Sequence, residues 1–499
     1  MVALLLVVAG SVAGLSFVPA PGTAATVTLA PGLTLSDTTV TGPNKINILA
    51  ANLAEPTLKP RYLNPGTVGA TATLSTMANR VGAVAAVNAD FFDIGVTGAP
   101  RGVGIDNATL IHGPSSGWND VAAIYAGRGG LASIFLEGSV TLPAGTRLTA
   151  TNLNSPNITA NGVGIYNALW GDEARSQVVD GSTRTREIEI AGGVVTKVST
   201  APGGKLSAGS VAVLGIDAGA DALAGVVVGQ AVSVSYAPRG GDGAAQVAVG
   251  GNLVLVRDGV VTTASHPRNP RTAVGFSADG LRMWLVTVDG RSTASVGMTY
   301  VELGNYMKSL GADDSLNLDG GGSTTMVARM PGATTVSVRN TPSDGTQRLI
   351  PNGLGFVTTA GQPWSSTVDN ATAGRFTASA NWGTSTFSSQ RFGADYRFTD
   401  PNTTASDPSW YKVNIPQTAS YEVSVWYPAN SGYNDSTPFI VVTSTGNQTV
   451  RVNQRVNGGR WVSLGVFTLA AGDANKVGVS RWTSGTGYVI ADAVRVTRV

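Results

Sequence analysis

From residue 26 onward, apolar residues recur almost everywhere with the two-residue period of a half-buried strand. Gly, Asn, Asp or Pro breaks the runs every few positions. A chain patterned this way must bury sheet faces, and helices are confined to places where the period lengthens. That happens twice. About Leu74 to Val81, Leu74, Met77 and Val81 fall on one helical face. Near residue 300, Thr299 and Glu302 have capping-box spacing, Leu303, Met307 and Leu310 form an apolar stripe, and Gly311 stops it. The expected fold class is an α+β domain, a mixed sheet with few helices, interrupted by an inserted β-module and followed by an all-β sandwich.

The 499 residues exceed what one ordinary core organises. Charged residues are 13%, against about a quarter in typical soluble domains, so Thr, Ser, Asn and 64 glycines must cover the surface. That balance is usual in exported β-rich proteins. Net charge is +2 with no basic block, which excludes a nucleic-acid footprint. Cysteine is absent, so there are no disulfides and no thiolate nucleophile or ligand; two histidines alone make no closed zinc site. No cofactor is required by the pattern. The many Asp and Asn leave an oxygen-ligand site for a divalent cation such as calcium open, although no EF-hand spacing occurs.

Residues 1–18 are nearly all apolar, Pro19, Pro21 and Gly22 break the run, and Thr23-Ala24-Ala25 follows. This reads as a signal peptide over 1–25, even though no Lys or Arg precedes the apolar stretch. Its removal leaves no stable membrane insertion and places the protein outside a bacterial cell, secreted or held at the cell wall. Residues 26–360 form the expected catalytic domain, with the inserted β-module over about 115–250, where no helix signal occurs and Ala150 to Asn161 reads as a loop. Residues 367–499 form the expected sandwich, with tryptophans at 382, 410, 426, 461 and 482.

The strand Met283 to Val288 stops at Asp289-Gly290-Arg291. After the second helix, Ser315 to Leu318 stops at Asp319-Gly320-Gly321-Gly322-Ser323-Thr324. A strand–helix–strand order implies a crossover between parallel strands, with Asp289 and Asp319 on one sheet edge. Asp258-Gly259 and Asp279-Gly280, by contrast, sit between strands and read as hairpin turns. Three glycines in a row are conformationally costly and suit close approach to a ligand, or N–H groups presented to an anion. Ser323 and Thr324 add hydroxyls, and Arg271 or Arg291 could pair bidentately with a phosphate. His112 reads as a loop residue.

Four motifs in order then resemble the phosphodiester glycosidase family: Asn88-Ala89-Asp90-Phe91-Phe92-Asp93 with Gly98-Ala99-Pro100-Arg101-Gly102, Pro270-Arg271-Thr272-Ala273-Val274-Gly275, Asn317 to Ser323, and Asn352-Gly353-Leu354-Gly355. The resemblance runs from about 45 to 357, with Ala89 where many relatives carry Gly. It implies hydrolysis between a sugar anomeric carbon and a phosphate oxygen in a glycosyl-1-phosphodiester or phosphate-containing glycan. Asp319 and Asp289 are the expected carboxylates and Asp90 a third candidate. Asn88, Arg101, Arg271, Arg291, Gly320, Gly321, Gly322, Ser323, Thr324 and Asn352 are the expected substrate and phosphate contacts. Two other readings stand beside it, an endo-acting depolymerase of phosphate-linked polymers and a non-catalytic glycan-binding protein. Tyr421 to Pro428, Gly459 to Gly465 and Ala491 to Val496 resemble golvesin-like C-terminal domains. That resemblance implies association with polysaccharide-acting enzymes, and most tryptophans of this region are expected in its core.

Overall fold

A computed structural model describes residues 26–361 and 364–499, so the expected signal peptide lies outside the described residues. Two antiparallel sheets enclose the central core. The first has eight strands and runs Val27–Ala30, Leu33–Val40, Asn44–Asn52, Arg282–Val288, Arg271–Phe276, Asp314–Leu318, Leu253–Arg257, Val260–Val261. The second has five and runs Ser337–Val338, Met326–Ala328, Ala85–Asn88, Gly353–Thr358, Leu58–Leu63. Leu49, Val274, Leu285 and Leu316 of the first interlock with Val87, Met326, Leu354 and Phe356 of the second. Burying these faces supplies the main driving force of the domain.

Both anticipated helices form. Leu74–Arg80 is capped by the Thr73 side chain and buries Leu74 and Met77, with Val81 as its C-cap. Tyr300–Ser309 carries the full Thr299–Glu302 capping box and buries Leu303 and Met307, and Gly311 follows at φ +100°. This helix covers the outer face of the first sheet, against Ala273, Val286 and Val288. It does connect two strands of the same direction. They are not neighbours, however, because Arg271–Phe276 lies between them, antiparallel to both. The ends of Arg282–Val288 and Asp314–Leu318 and the start of Arg271–Phe276 therefore share one edge.

The segment 115–250 builds a seven-stranded sheet with Gly104–Asp106 and Thr109–His112, and a five-stranded sheet over 152–216. Its first and last strands in sequence, Asp120–Ile124 and Val247–Gly250, pair in the middle of the seven-stranded sheet and belong to the central core as well: Ala122, Ile124, Val247 and Val249 pack there while Val121 and Ala123 face the other way. A short helix, Ala218–Ala222, forms without any periodic signal. The stretch 150–161 is also not a plain surface loop. Asn152–Leu153 pairs in parallel with 164–165, and Asn152, Asn154 and Ser155 are buried with their polar groups bonded.

From residue 365 a separate set of strands packs around Trp382, Tyr411, Tyr421, Val425 and Val494. Trp426 and Trp461 stack edge-on at 5.6 Å with Phe392 beside them, and Trp482 is 58% exposed.

Candidate active site

The two central sheets meet where Asp319 N–H donates to the Ala89 carbonyl at 2.8 Å. Asn88, ending Ala85–Asn88, ties this junction together. Its Nδ2 donates to the Asp319 carbonyl at 2.6 Å, while its Oδ1 accepts from Thr272 Oγ1 at 2.8 Å and Thr325 N–H at 3.0 Å. Two carboxylates are thereby held side by side.

Asp90 is 2% exposed. Its Oδ2 accepts the Gly102 N–H at 2.7 Å, whereas Oδ1 finds no partner among the described residues. Burial, reinforced by the neighbouring Asp319 charge, pushes its pKa up to about 8. Asp319 is partly exposed, accepts the Gly320 N–H at 2.9 Å and is raised by burial to about 6. Gly102 and Gly250 make the Asp90 position feasible. A Cβ on either would stand 2.5 or 2.7 Å from Asp90 Oδ2.

Behind Asp90 lies a ring of buried polar groups. Its N–H donates to Asn352 Oδ1 at 2.9 Å, and Asn352 Nδ2 donates to the Tyr62 hydroxyl at 3.2 Å. Tyr62 reaches His112 Nε2 at 2.8 Å, and His112 Nδ1 lies 3.1 Å from the Gly102 carbonyl. A carbonyl only accepts, so Nδ1 carries the proton and Nε2 accepts the Tyr62 hydroxyl. Burial holds His112 neutral, lowering its pKa to about 4. His112 ends the strand Thr109–His112 and is not the loop residue its sequence context suggests.

Most backbone N–H groups of the glycine run are bonded within the loop or to Pro270. Gly320 N–H is taken by Asp319, Gly321 N–H by the Pro270 carbonyl, and Ser323 and Thr324 N–H by the Gly320 and Gly321 carbonyls. What the missing side chains allow is close packing. A Cβ at Gly320 would meet the Pro270 carbonyl at 2.7 Å, one at Gly321 the Arg291 guanidinium at 3.0 Å, and one at Gly322 would overlap both Arg348 Nη2 and the Asp344 carboxylate. Two arginines thus lie against the loop. Arg348 also donates to Ser323 Oγ at 3.3 Å, and its charge offsets part of the upward shift at Asp319. Arg101, ion-paired to Asp93 at 3.2 Å, likewise lowers Asp90.

Several expected contacts are committed elsewhere. Arg271 lies on the helix side of its sheet. Its Nε donates to the Met298 carbonyl at 2.9 Å, Nη2 to the Pro267 carbonyl at 2.7 Å, and the guanidinium stacks on Tyr300 at 4.0 Å. Asp289 accepts the Thr341 N–H with both oxygens, at 3.0 and 3.1 Å, and Asn340 Nδ2 at 3.3 Å. It pins the base of the loop that delivers Arg348. The amides of Asn88 and Asn352 bridge backbone and side chains and leave little to offer a phosphate. Arg348, Tyr62 and His112 carry no local motif. The one available signal for Arg348 was its i,i+4 spacing from Asp344.

Residues 184–357 match the family model for Phosphodiester glycosidase. Residues 366–498 match the Golvesin C-terminal domain. The glycosidase match begins inside the 115–250 segment. A xanthan lyase of Bacillus sp. (strain GL1) is 32% identical over 134 residues, 26% of this chain, and the match spans 14% of the lyase's own length. A hypothetical protein from Synechocystis shares the fold at TM-score 0.57 and 21% identity, over 68% of this chain and 64% of its own. A protein of Burkholderia pseudomallei K96243 described as exported does so at TM-score 0.54 and 22% identity, over 63% and 74%. The chain thus spans less than two thirds of the length of the xanthan lyase and of the Synechocystis protein that it matches.

Proposed function

We propose that the glycosidase domain hydrolyses the bond between the anomeric carbon of a sugar and the phosphate oxygen of a glycosyl-1-phosphodiester, and that it does so outside the cell. The observation carrying this reading is the pair of neighbouring carboxyls with separated proton affinities, Asp90 near 8 and Asp319 near 6, bordered by Arg101, Arg291 and Arg348. At neutral pH Asp319 is ionised and Asp90 holds its proton, the division of labour that acid–base chemistry requires. Water adds to the anomeric carbon, the carbon–oxygen bond breaks, and the products are a free sugar and a phosphomonoester. Asp319 takes the water proton or attacks the carbon itself, and Asp90 can protonate the departing oxygen. A phosphate is already a weak base, so guanidinium groups around it carry much of the stabilisation. Export fits the apolar start of the chain, its low charge and the absence of cysteine.

The test is incubation with a panel of glycosyl-1-phosphodiesters, following phosphomonoester release and the anomeric form of the first sugar product by NMR. Release of sugar and phosphomonoester supports the reading, and the anomer separates base from nucleophile at Asp319. Absence of turnover on every member, with glycan binding retained, overturns it. Short oligomers released from a phosphate-linked polymer would instead indicate endo-acting cleavage.

A further inference from the structure

We propose that the C-terminal domain holds a calcium ion between its first and last strands, with the Asp369 and Asp492 carboxylates and the Asn370 amide oxygen as ligands. Asp369 ends the strand Ser365–Asp369, where it pairs with Ala493, the first residue of the last strand and the one directly after Asp492. Asn370 N–H donates to the Asp492 carbonyl at 2.8 Å, so the three residues are fixed around one point of the sheet. Asp395 is drawn in through a 2.5 Å bond from Asn370 Nδ2.

Three acceptor atoms here, Oδ1 of Asp369, of Asn370 and of Asp492, are buried and find no partner among the described residues, and neither does the Tyr411 hydroxyl. Asp492 is 1% and Asn370 3% exposed. Buried polar atoms are normally bonded, and an unpaired buried carboxylate is costly. The Arg397 guanidinium is near enough for its charge to act on Tyr411, but its Nε is also buried and unpartnered and it bonds none of these oxygens, so their concentration leaves a place for a cation. No three His, Cys, Asp or Glu side chains among the described residues form a ready metal cage. The set is therefore mixed, two carboxylates and an amide oxygen, completed by Tyr411 or water. An all-oxygen, irregular site of this kind suits calcium, which takes 6–8 oxygens in flexible geometry, better than magnesium, which demands a near-ideal octahedron. A cavity lined by Asn370, Thr372, Phe376, Trp382 and Arg397 adjoins the site and offers a way in.

The role follows from position. Linking the two chain ends of a disulfide-free sandwich, the ion would bind the folded state alone and stabilise it by mass action. The test uses the full chain stripped with EDTA, titrated with calcium chloride by calorimetry and by thermal unfolding. One equivalent should bind, and the C-terminal transition should rise by roughly 5–10 °C at a hundredfold excess over Kd. Magnesium chloride should give a smaller shift. Asp492→Asn and Asn370→Ala should each remove the calcium-dependent shift. The proposal is overturned if the wild-type chain shows neither binding heat nor shift. It is equally overturned if both variants respond to calcium as the wild type does, or if Asp492→Asn merely raises the midpoint while calcium has no effect. That last result would mean neutral carboxyls and buried water fill the site.

Discussion

The proton affinities of Asp90 and Asp319 make the active site testable one side chain at a time. If Asp319 acts ionised and Asp90 protonated, activity rises as pH passes about 6 and falls as it passes about 8. Asp319→Asn should cost about 10²–10⁴-fold in kcat with the fold intact by circular dichroism. Full activity in a folded variant would remove Asp319 from the chemistry. Asp90→Asn should also lose activity, and it has a second signature. A carboxyl raised in the folded state costs stability once pH exceeds its unfolded value, and the cost grows up to the folded value. The variant should therefore gain stability over wild type progressively between about pH 4 and 8. Thermal midpoints across that range check it; a constant difference would mean the carboxyl is not buried as described. The arginines divide in the same way. Arg348→Lys should cost roughly 1–3 kcal/mol in kcat/KM on a phosphodiester, and much less on a sugar with a neutral leaving group. Arg271→Lys breaks two bonds to carbonyls and a stack on Tyr300, so stability should fall and both substrates should suffer together. A loss confined to the phosphodiester would restore Arg271 to phosphate binding.

At the scale of elements, the same dipeptide spelling has two outcomes. Asp258-Gly259 has φ +48° and +69° and joins Leu253–Arg257 to Val260–Val261, a tight hairpin as its sequence suggests. Asp258→Asn should leave kinetics unchanged, and a large loss there would blur the line between turn and site aspartates. Asp319-Gly320 instead opens a 3₁₀ turn packed under two arginines. Gly322→Ala discriminates close packing from backbone flexibility. The atoms nearest its new methyl are the movable ends of Arg348 and Asp344, so stability should change by less than about 1 kcal/mol while phosphodiester turnover falls. Gly320→Ala meets the Pro270 carbonyl, which cannot step aside, and should destabilise the domain. Unfolding and kinetics measured together distinguish the two; equal behaviour would mean the loop repacks freely.

Across the whole molecule, the described cores separate cleanly. Those of the glycosidase domain end at Phe356 and the sandwich core begins at Val368. An exposed Arg460–Asp37 ion pair at 3.3 Å bridges the two parts, a contact of little energetic weight. A chain ending near residue 361 should fold and hydrolyse a small soluble phosphodiester at close to the full-length rate. Insolubility or inactivity of that chain would assign the sandwich a share in the fold or the site.

Period, caps and turns are local, and they are what the amino-acid sequence by itself determined: two helices with their ends and the hairpin at Asp258. Each depends on residues within a few positions of one another. Which side chains face the substrate depends on strand order and parity, and only the tertiary structure decided that. Arg271 and Thr272 are neighbours in sequence, yet alternation sends Arg271 toward the helix and Thr272 to Asn88 at the junction. Asp289 reaches the expected edge, but a loop some fifty residues later occupies both its oxygens. Arg348 and His112 enter the site from strands and loops far along the chain, through glycines whose only visible mark was their number. Long-range packing selects among residues that local chemistry leaves equivalent.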